Sequence, residues 1–374
     1  MQDGTLNANA KLMKPPKPAM LFIIACLLYV TPVFGQASPD IDQQLITLTR
    51  QYETSRDSYK KDDAYSAAKQ AYELAISALS QDDVRLTMLA RNHGEAALRL
   101  GNTIEARNQF ERAVAYAVAV SRGPSVPLVD AYLSLVKAEP TTRDAIGSGK
   151  KAIKNAKKLF GEQSAEYIDV LIRVGTNLLA SRPTRKARQF VVGAYEIATQ
   201  HLPETDPMRA RATYWRGRID IGEQRYESAI PFLLEAAGQF ETSNGTSTAM
   251  GLSTHALLIE AYERTENSSS ATEHTLIIAR ASTDVDDKDI QPIFRVAPSY
   301  PKKAVKSLLT GFVRMEMLID IDGRVVDIEI IDGENTDVFA DAAKDAVRRW
   351  RFSPRIVDGK PLQRKAQTML KFEI

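Results

Sequence analysis

The sequence predicts a multidomain chain: an all-α array of stacked helical hairpins, followed by a small α+β domain of β-β-α-β order. Three observations predict it. Small residues recur seven apart in blocks spaced by about forty residues, strict two-residue alternation sets in after Gly311, and a charge run at 284–289 separates the two patterns. The reading divides the chain into an N-terminal leader at 1–37, a repeat domain at 38–283, a linker at 284–295 and a C-terminal domain at 296–374.

The repeats are Ala68-Tyr72-Ala75, Ala106-Phe110-Ala113, Ala145-Gly149-Ala152, Ala187-Val191-Ala194, Ala229-Leu233-Ala236 and a degraded Ala271-Thr275-Ile278. Their middle positions lie 38, 39, 42, 42 and 42 residues apart, which predicts six hairpins. Alanine at i and i+7 of one helix lets a partner approach closely, and the residue at i+4 is expected to fill the groove between hairpins, so that stacking buries a continuous core. Turn residues fall just before each second helix: Asp62-Asp63, Gly101-Asn102, Arg182-Pro183-Thr184, Gly222-Glu223 and Glu266-Asn267.

Beyond the charge run the period changes to two. Val313, Met315, Met317, Ile319 and Ile321 alternate with polar residues, and Val326, Ile328 and Ile330 do so after Asp322-Gly323, a pair suited to a two-residue hairpin turn. Phe339, Ala342, Ala343, Ala346, Val347 and Trp350 then recur at helical steps, with Asp337, Asp341 and Asp345 toward the start and Arg348, Arg349 and Arg351 at the end, as the helix dipole favours. After breaks at Pro354 and Asp358-Gly359, a last strand places Ala366, Thr368, Leu370, Phe372 and Ile374 on one face.

Tyr300-Pro301, Gly311, Asp322-Gly323, the Ala-rich helix, Trp350-Arg351-Phe352 and Gly359-Lys360-Pro361, in this order, resemble the C-terminal domain of the TonB family. The helical blocks resemble tetratricopeptide repeats, with Gly94, Gly101, Ala106, Phe110 and Ala113 as the best copy. The 42-residue copies, with Leu159-Phe160-Gly161-Glu162, resemble the longer variant of kinesin light chains. The TonB resemblance implies a protein-interaction role at a free sheet edge, which in that family captures a short periplasmic segment of an outer-membrane receptor and transmits force from an inner-membrane motor. By the same resemblance Gln367, Thr368, Met369, Leu370 and Lys371 form the partner-binding strand. The implied protein is periplasmic, with the repeat groove docking one envelope partner and the sheet edge another. Two alternatives stay open: a membrane-anchored energy transducer for outer-membrane transport, and an extracytoplasmic enzyme subunit with its site in the repeat groove. The chain departs from the family in having repeats where a proline-rich spacer is usual, and no histidine in its apolar N-terminal run.

The N-terminus agrees with an extracytoplasmic location. Lys11, Lys14 and Lys17 precede an uncharged run with an apolar stretch at 19–30, and Gly35-Gln36-Ala37 precedes Ser38. This reads as a secretory leader, or as an uncleaved anchor whose 22 uncharged residues just span a bilayer; Met13 offers a shorter start. The single cysteine, Cys26, lies in that run, so disulfide, thiol and cysteine-metal chemistry are excluded from the rest of the chain. A lipoprotein reading of residues 23–26 is disfavoured because Leu27-Leu28-Tyr29-Val30 follows.

No catalytic, cofactor or metal constellation emerges. His93, His201, His255 and His274 lack a ligand-spaced partner and read as surface or groove residues. Gly147-Ser148-Gly149-Lys150-Lys151 lacks the first glycine and the Ser/Thr of a phosphate loop, and Asp320-Ile321-Asp322-Gly323 runs straight into a strand, unlike a calcium loop. With 49 basic against 47 acidic residues, the chain gives no reason to invoke nucleic acid. Arg348, Arg349, Arg351 and Arg355 read as a solvated basic cluster, with an acidic partner or lipid headgroup as the alternative.

Overall fold

A computed structural model describes residues 39–181, 183–241, 248–281 and 290–373. The leader with Cys26, Arg182, the charge run at 284–289 and Ile374 lie outside the described residues. The chain forms two compact units, one within residues 18–215 and one including residues 216–374.

In the first unit helices pair in sequence order: α1 (Pro39–Asp57) with α2 (Lys61–Ala78), α3 (Arg85–Arg99) with α4 (Thr103–Ser121), α5 (Val126–Ala138) with α6 (Thr142–Phe160), and α7 (Ala165–Ser181) with α8 (Arg185–His201). Every expected block lies on the second helix of its hairpin and is buried. Two of the middle residues, Phe110 and Val191, pack inside their own hairpin. A Cβ on Gly94 of α3 would stand 2.5 Å from Phe110, and one on Gly175 of α7 would collide with Val191. Where the second helix carries the gap, at Gly149, the filler is Val174 of the next hairpin, 2.6 Å from a hypothetical Cβ, with Val136 of α5 at 3.7 Å. Tyr72 likewise reaches the next hairpin, its hydroxyl 3.2 Å from that of Tyr116 in α4, so this position packs within some hairpins and between others. At the crossings with a glycine, one large and one small residue meet, as close packing demands.

Helix starts are set by side-chain caps: Asn102, Ser125, Thr141 and Thr184 accept from backbone N–H groups three residues on. Asp62-Asp63 is not the turn but the acidic first turn of α2; the reversal is made by Tyr59 at φ 59°. Gly147-Ser148-Gly149-Lys150 is mid-helix in α6.

Helix α9 (Pro207–Gly222) runs into the second unit, where its end meets α10 (Tyr226–Phe240) and α11 (Ala249–Arg264) pairs with α12 (Ser268–Ala281). Leu233 fills the gap at Gly217. The left-handed turn residues are Gln224 and Glu266, so Gly222 simply ends its helix. Asp220 is fully buried between Arg216 and Arg225, which clasp both carboxylate oxygens.

A short helix, α13 (Lys302–Ser307), follows Pro301; then come β1 (Gly311–Ile319), β2 (Val325–Glu334), α14 (Thr336–Val347), a small hairpin β3 (Arg355–Val357) and β4 (Lys360–Leu362), and β5 (Arg364–Phe372). The expected β-β-α-β order therefore gains α13 and one hairpin. The main sheet runs β2-β1-β5, antiparallel throughout. Val313, Met315, Met317 and Ile319 face the core with Phe339, whose ring stacks 4.3 Å from that of Phe372, and Trp350 Nε1 donates to the Val296 carbonyl at 2.8 Å.

Several expectations need correction. Ile321 is exposed in the β1-β2 turn, and Val326 is 54% exposed because the pairing skips it: Ile319 faces Val325 while Leu318 faces Asp327. A second skip falls at Ile331, which is exposed, while Ile328 and Ile330 pack against the core as expected. At Asp322-Gly323 only Gly323 has positive φ, the Asp320 carboxylate accepting from the N–H groups of Asp322 and Arg324; the two-residue turn with both φ positive occurs instead at Asp358-Gly359.

Arg351 is not part of a solvated cluster but is 2% exposed. Its backbone pairs with Phe294 and Arg324, and its Nε donates to Glu263 of α11 at 2.6 Å. Its Nη1 and Nη2 reach the carbonyls of Asp322 and Ser268 at 3.3 Å. Gly323 completes the contact: a Cβ there would strike the Phe352 carbonyl oxygen and stand 2.8 Å from Thr275. The degraded sixth block thus seats the β1-β2 turn.

Candidate partner-binding surfaces

β5 lies at one edge of the main sheet and β2 at the other. Along β5, Gln367, Met369 and Lys371 are exposed on the outer face, while Thr368 and Leu370 are half-buried on the core side. β5 pairs with β1 through nine consecutive residues without a register shift, whereas β2 carries both bulges. An unbroken edge presents its free N–H and C=O groups at strand spacing, and a bulged one does not. Glu316 of β1 lies under the outer face, where hydrogen bonds from Lys365 and Gln367 hold its carboxyl below the usual range.

A second surface, in the first unit, escaped the sequence reading. Asp130 of α5 takes Arg91 of α3 at 3.3 Å and Arg173 of α7 at 3.0 Å. Arg173 also contacts Asp169 at 3.5 Å, and Asp169 takes Arg211 of α9 at 2.5 Å. This ladder runs from α3 through α5 and α7 to α9 and borders an open cleft of about 460 Å³ with Val126, Phe160, Val170 and Met208 among its walls. Half-exposed pairs contribute about 1 kcal/mol or less each, so the ladder bears more on what the cleft accepts than on stability. Its signature was available: Arg91 and Asp130 are 39 residues apart and Asp169 and Arg211 are 42, one repeat each.

The histidines differ from expectation. His93, His255 and His274 are buried, His201 is exposed. His93 lies between the rings of Tyr65 and Tyr72, with Nε2 in charge contact with Glu105 at 2.9 Å but not aligned as a hydrogen bond; burial lowers its pKa. The Nδ1 atoms of His255 and His274 are 3.1 Å apart, their rings stack, and Tyr262 stacks on His274. Burial, then the neighbouring His255, pushes His274 down to about 4. Neither group lines the cleft beside the ladder, and no cluster of metal-ligand side chains occurs among the described residues. No helix among them is long and apolar enough to cross a membrane.

The geometry defines a class: tetratricopeptide-like helical hairpins in series with a mixed domain whose sheet has one regular open edge. Residues 296–374 match the family model described as Gram-negative bacterial TonB protein C-terminal. Protein TonB of Pseudomonas aeruginosa is 33% identical over 93 residues, covering 25% of this chain and 27% of that protein; Protein TonB of Vibrio cholerae is 28% identical over 88 residues, covering 24% and 36%. The solution structure of the Pseudomonas aeruginosa TonB C-terminal domain aligns with 24% of this chain and 91% of that one, at 33% identity and a TM-score of 0.21. For the helices, a Podosopora anserina putative kinesin light chain with TPR-like repeats aligns with 65% of this chain and 94% of that one, at 13% identity and a TM-score of 0.35. The chain spans only about a quarter to a third of the two TonB relatives' length. The TonB likeness therefore concerns the C-terminal domain.

Proposed function

We propose that this chain is a protein-interaction component of the bacterial envelope, working in TonB-type transport from the periplasmic side. Its C-terminal sheet takes an extended segment of an envelope or outer-membrane partner along Gln367–Lys371, and its helical hairpins dock a second protein through the cleft beside the Asp130-Arg173-Asp169 ladder. The division into leader (1–37), repeats (38–283), linker (284–295) and C-terminal domain (296–374) belongs to the same proposal. The observation that carries it is the asymmetry of the sheet: strand addition needs an edge with unbroken main-chain spacing, and β5 has one while β2 is interrupted twice.

Proline substitution tests the reading. Adjacent strand residues point their N–H groups to opposite sides, so of Thr368→Pro and Met369→Pro one removes a bond to β1 and the other a donor on the open edge. The variant that keeps its fold by circular dichroism loses binding to synthetic receptor-derived periplasmic segments. Full binding in that variant excludes the β5 edge.

A further inference from the structure

Helix α6 carries Arg143, Lys150, Lys151, Lys154, Lys157 and Lys158 against one carboxylate, Asp144. The whole chain holds 49 basic and 47 acidic residues, so this six-to-one ratio is local. All six cations are exposed. At about 100° per residue they fall within an arc of about 120°. Ala145, Ser148, Gly149, Ala152 and Ala156 occupy the opposite side and are buried. The packing face is thus made of small residues and the outward face of lysines, in a stripe about 22 Å long at 1.5 Å per residue.

Little else engages that stripe. Lys157 pairs with Glu162, and Lys151 stands 5.6 Å from the centre of the Tyr132 ring. Arg143, Lys150, Lys154 and Lys158 have no ion-pair partner among the described residues. None of the six cations lines the cleft beside the ladder, and Leu159, the large apolar side chain that α6 exposes, falls about 80° outside their arc.

The chemistry of the stripe selects its partner. Lysine ammonium groups are hydrated point charges on flexible stems, without the planar fork that reads a fixed carboxylate or phosphate geometry. A protein partner held specifically would need a desolvated anchor in a pocket. A row of exposed lysines along one helix suits a planar and laterally mobile array of anions, whose potential reaches out over about a Debye length. We propose that the outer face of α6 is a contact surface for membranes containing anionic phospholipid.

The test is vesicle sedimentation of the full chain with phosphatidylcholine alone and with phosphatidylcholine containing phosphatidylglycerol. The apolar run at 19–30 contributes to both, so the phosphatidylglycerol-dependent difference is the readout. One variant reverses Lys150, Lys154 and Lys158 to Glu; a charge-matched control reverses the exposed Lys302, Lys303 and Lys306 of α13. Each lysine near an anionic surface contributes about fivefold to partitioning, so the α6 variant loses at least about 100-fold, and added salt removes the wild-type preference. The α13 variant keeps it, and unchanged thermal unfolding shows that both remain folded. No phosphatidylglycerol preference in the wild type overturns the proposal and turns attention to an acidic macromolecule. So does wild-type binding by the α6 variant, and so does equal loss in both variants, which would make net charge the cause.

Discussion

Glu263→Ala is expected to loosen the whole second unit, helices and sheet together. The Arg351 side chain is 3% exposed and that of Glu263 14%, and the carboxylate also accepts from Ser268 Oγ at 3.3 Å. Removing the carboxylate leaves the guanidinium buried with two carbonyl contacts of 3.3 Å, too weak to replace a charge-assisted bond of 2.6 Å. Stripping one partner from a buried ion pair costs about 3–5 kcal/mol. At about 2–4 °C per kcal/mol for a unit of this size, its melting temperature drops by about 6–20 °C. Hydrogen exchange with peptide resolution checks where the loss falls, with α11, α12 and the β1-β2 turn losing protection at one denaturant concentration. An apolar pair, Glu263→Leu with Arg351→Met, recovers most of the loss because it removes both charges. A cost below about 1 kcal/mol, or a sheet that opens while α11 and α12 stay protected, would refute the reasoning.

Gly94→Ala places a methyl group 2.5 Å from Phe110 in a fully buried site and costs about 1–3 kcal/mol; chemical denaturation measures it, and Phe110→Leu in the same chain restores part of it. The buried histidine pair makes the second unit acid-sensitive. His274 titrates at about 4 when folded and near 6.5 when unfolded, so the unfolded chain holds the extra proton between those values; stability is complete above pH 6.5 and falls as pH drops toward 4. Allowing for partial solvent screening, the loss is about 1–2 kcal/mol, and His274→Gln flattens that slope in urea titrations at stepped pH.

The repeat period was legible because packing enforces it: an alanine that must touch a partner helix cannot drift, and all six blocks kept their spacing. Alternation in β1 was legible for the same reason. What escaped depends on neighbours that a linear pattern does not contain. Arg348, Arg349, Arg351 and Arg355 look alike in sequence, yet Arg351 alone has a carboxylate 88 residues earlier waiting for it. Val326 fits the alternating pattern until a skipped pairing turns it out. The two-residue turn expected at Asp322-Gly323 forms instead at Asp358-Gly359, because the Asp320 carboxylate at the first pair and the flanking strands decide the backbone angles. The charge ladder was hidden by abundance, since in a chain with 26% charged residues opposite charges one repeat apart do not stand out. The edge strand was reached through resemblance; the regularity that favours it over β2 is a property of pairing.

Under the proposed strand addition, the two interruptions in β2 would also govern stoichiometry. A sheet open on both sides is a monomer for an unlimited fibre, each copy offering one edge and accepting on the other. With β2 broken, strand addition has a single valence. Pairing of two β5 edges would close on itself as a two-fold dimer and occupy the same groups that a partner segment needs. Any self-association through this sheet would therefore be self-limiting and would compete with the proposed strand addition, its strength setting how much free edge remains at a given protein concentration.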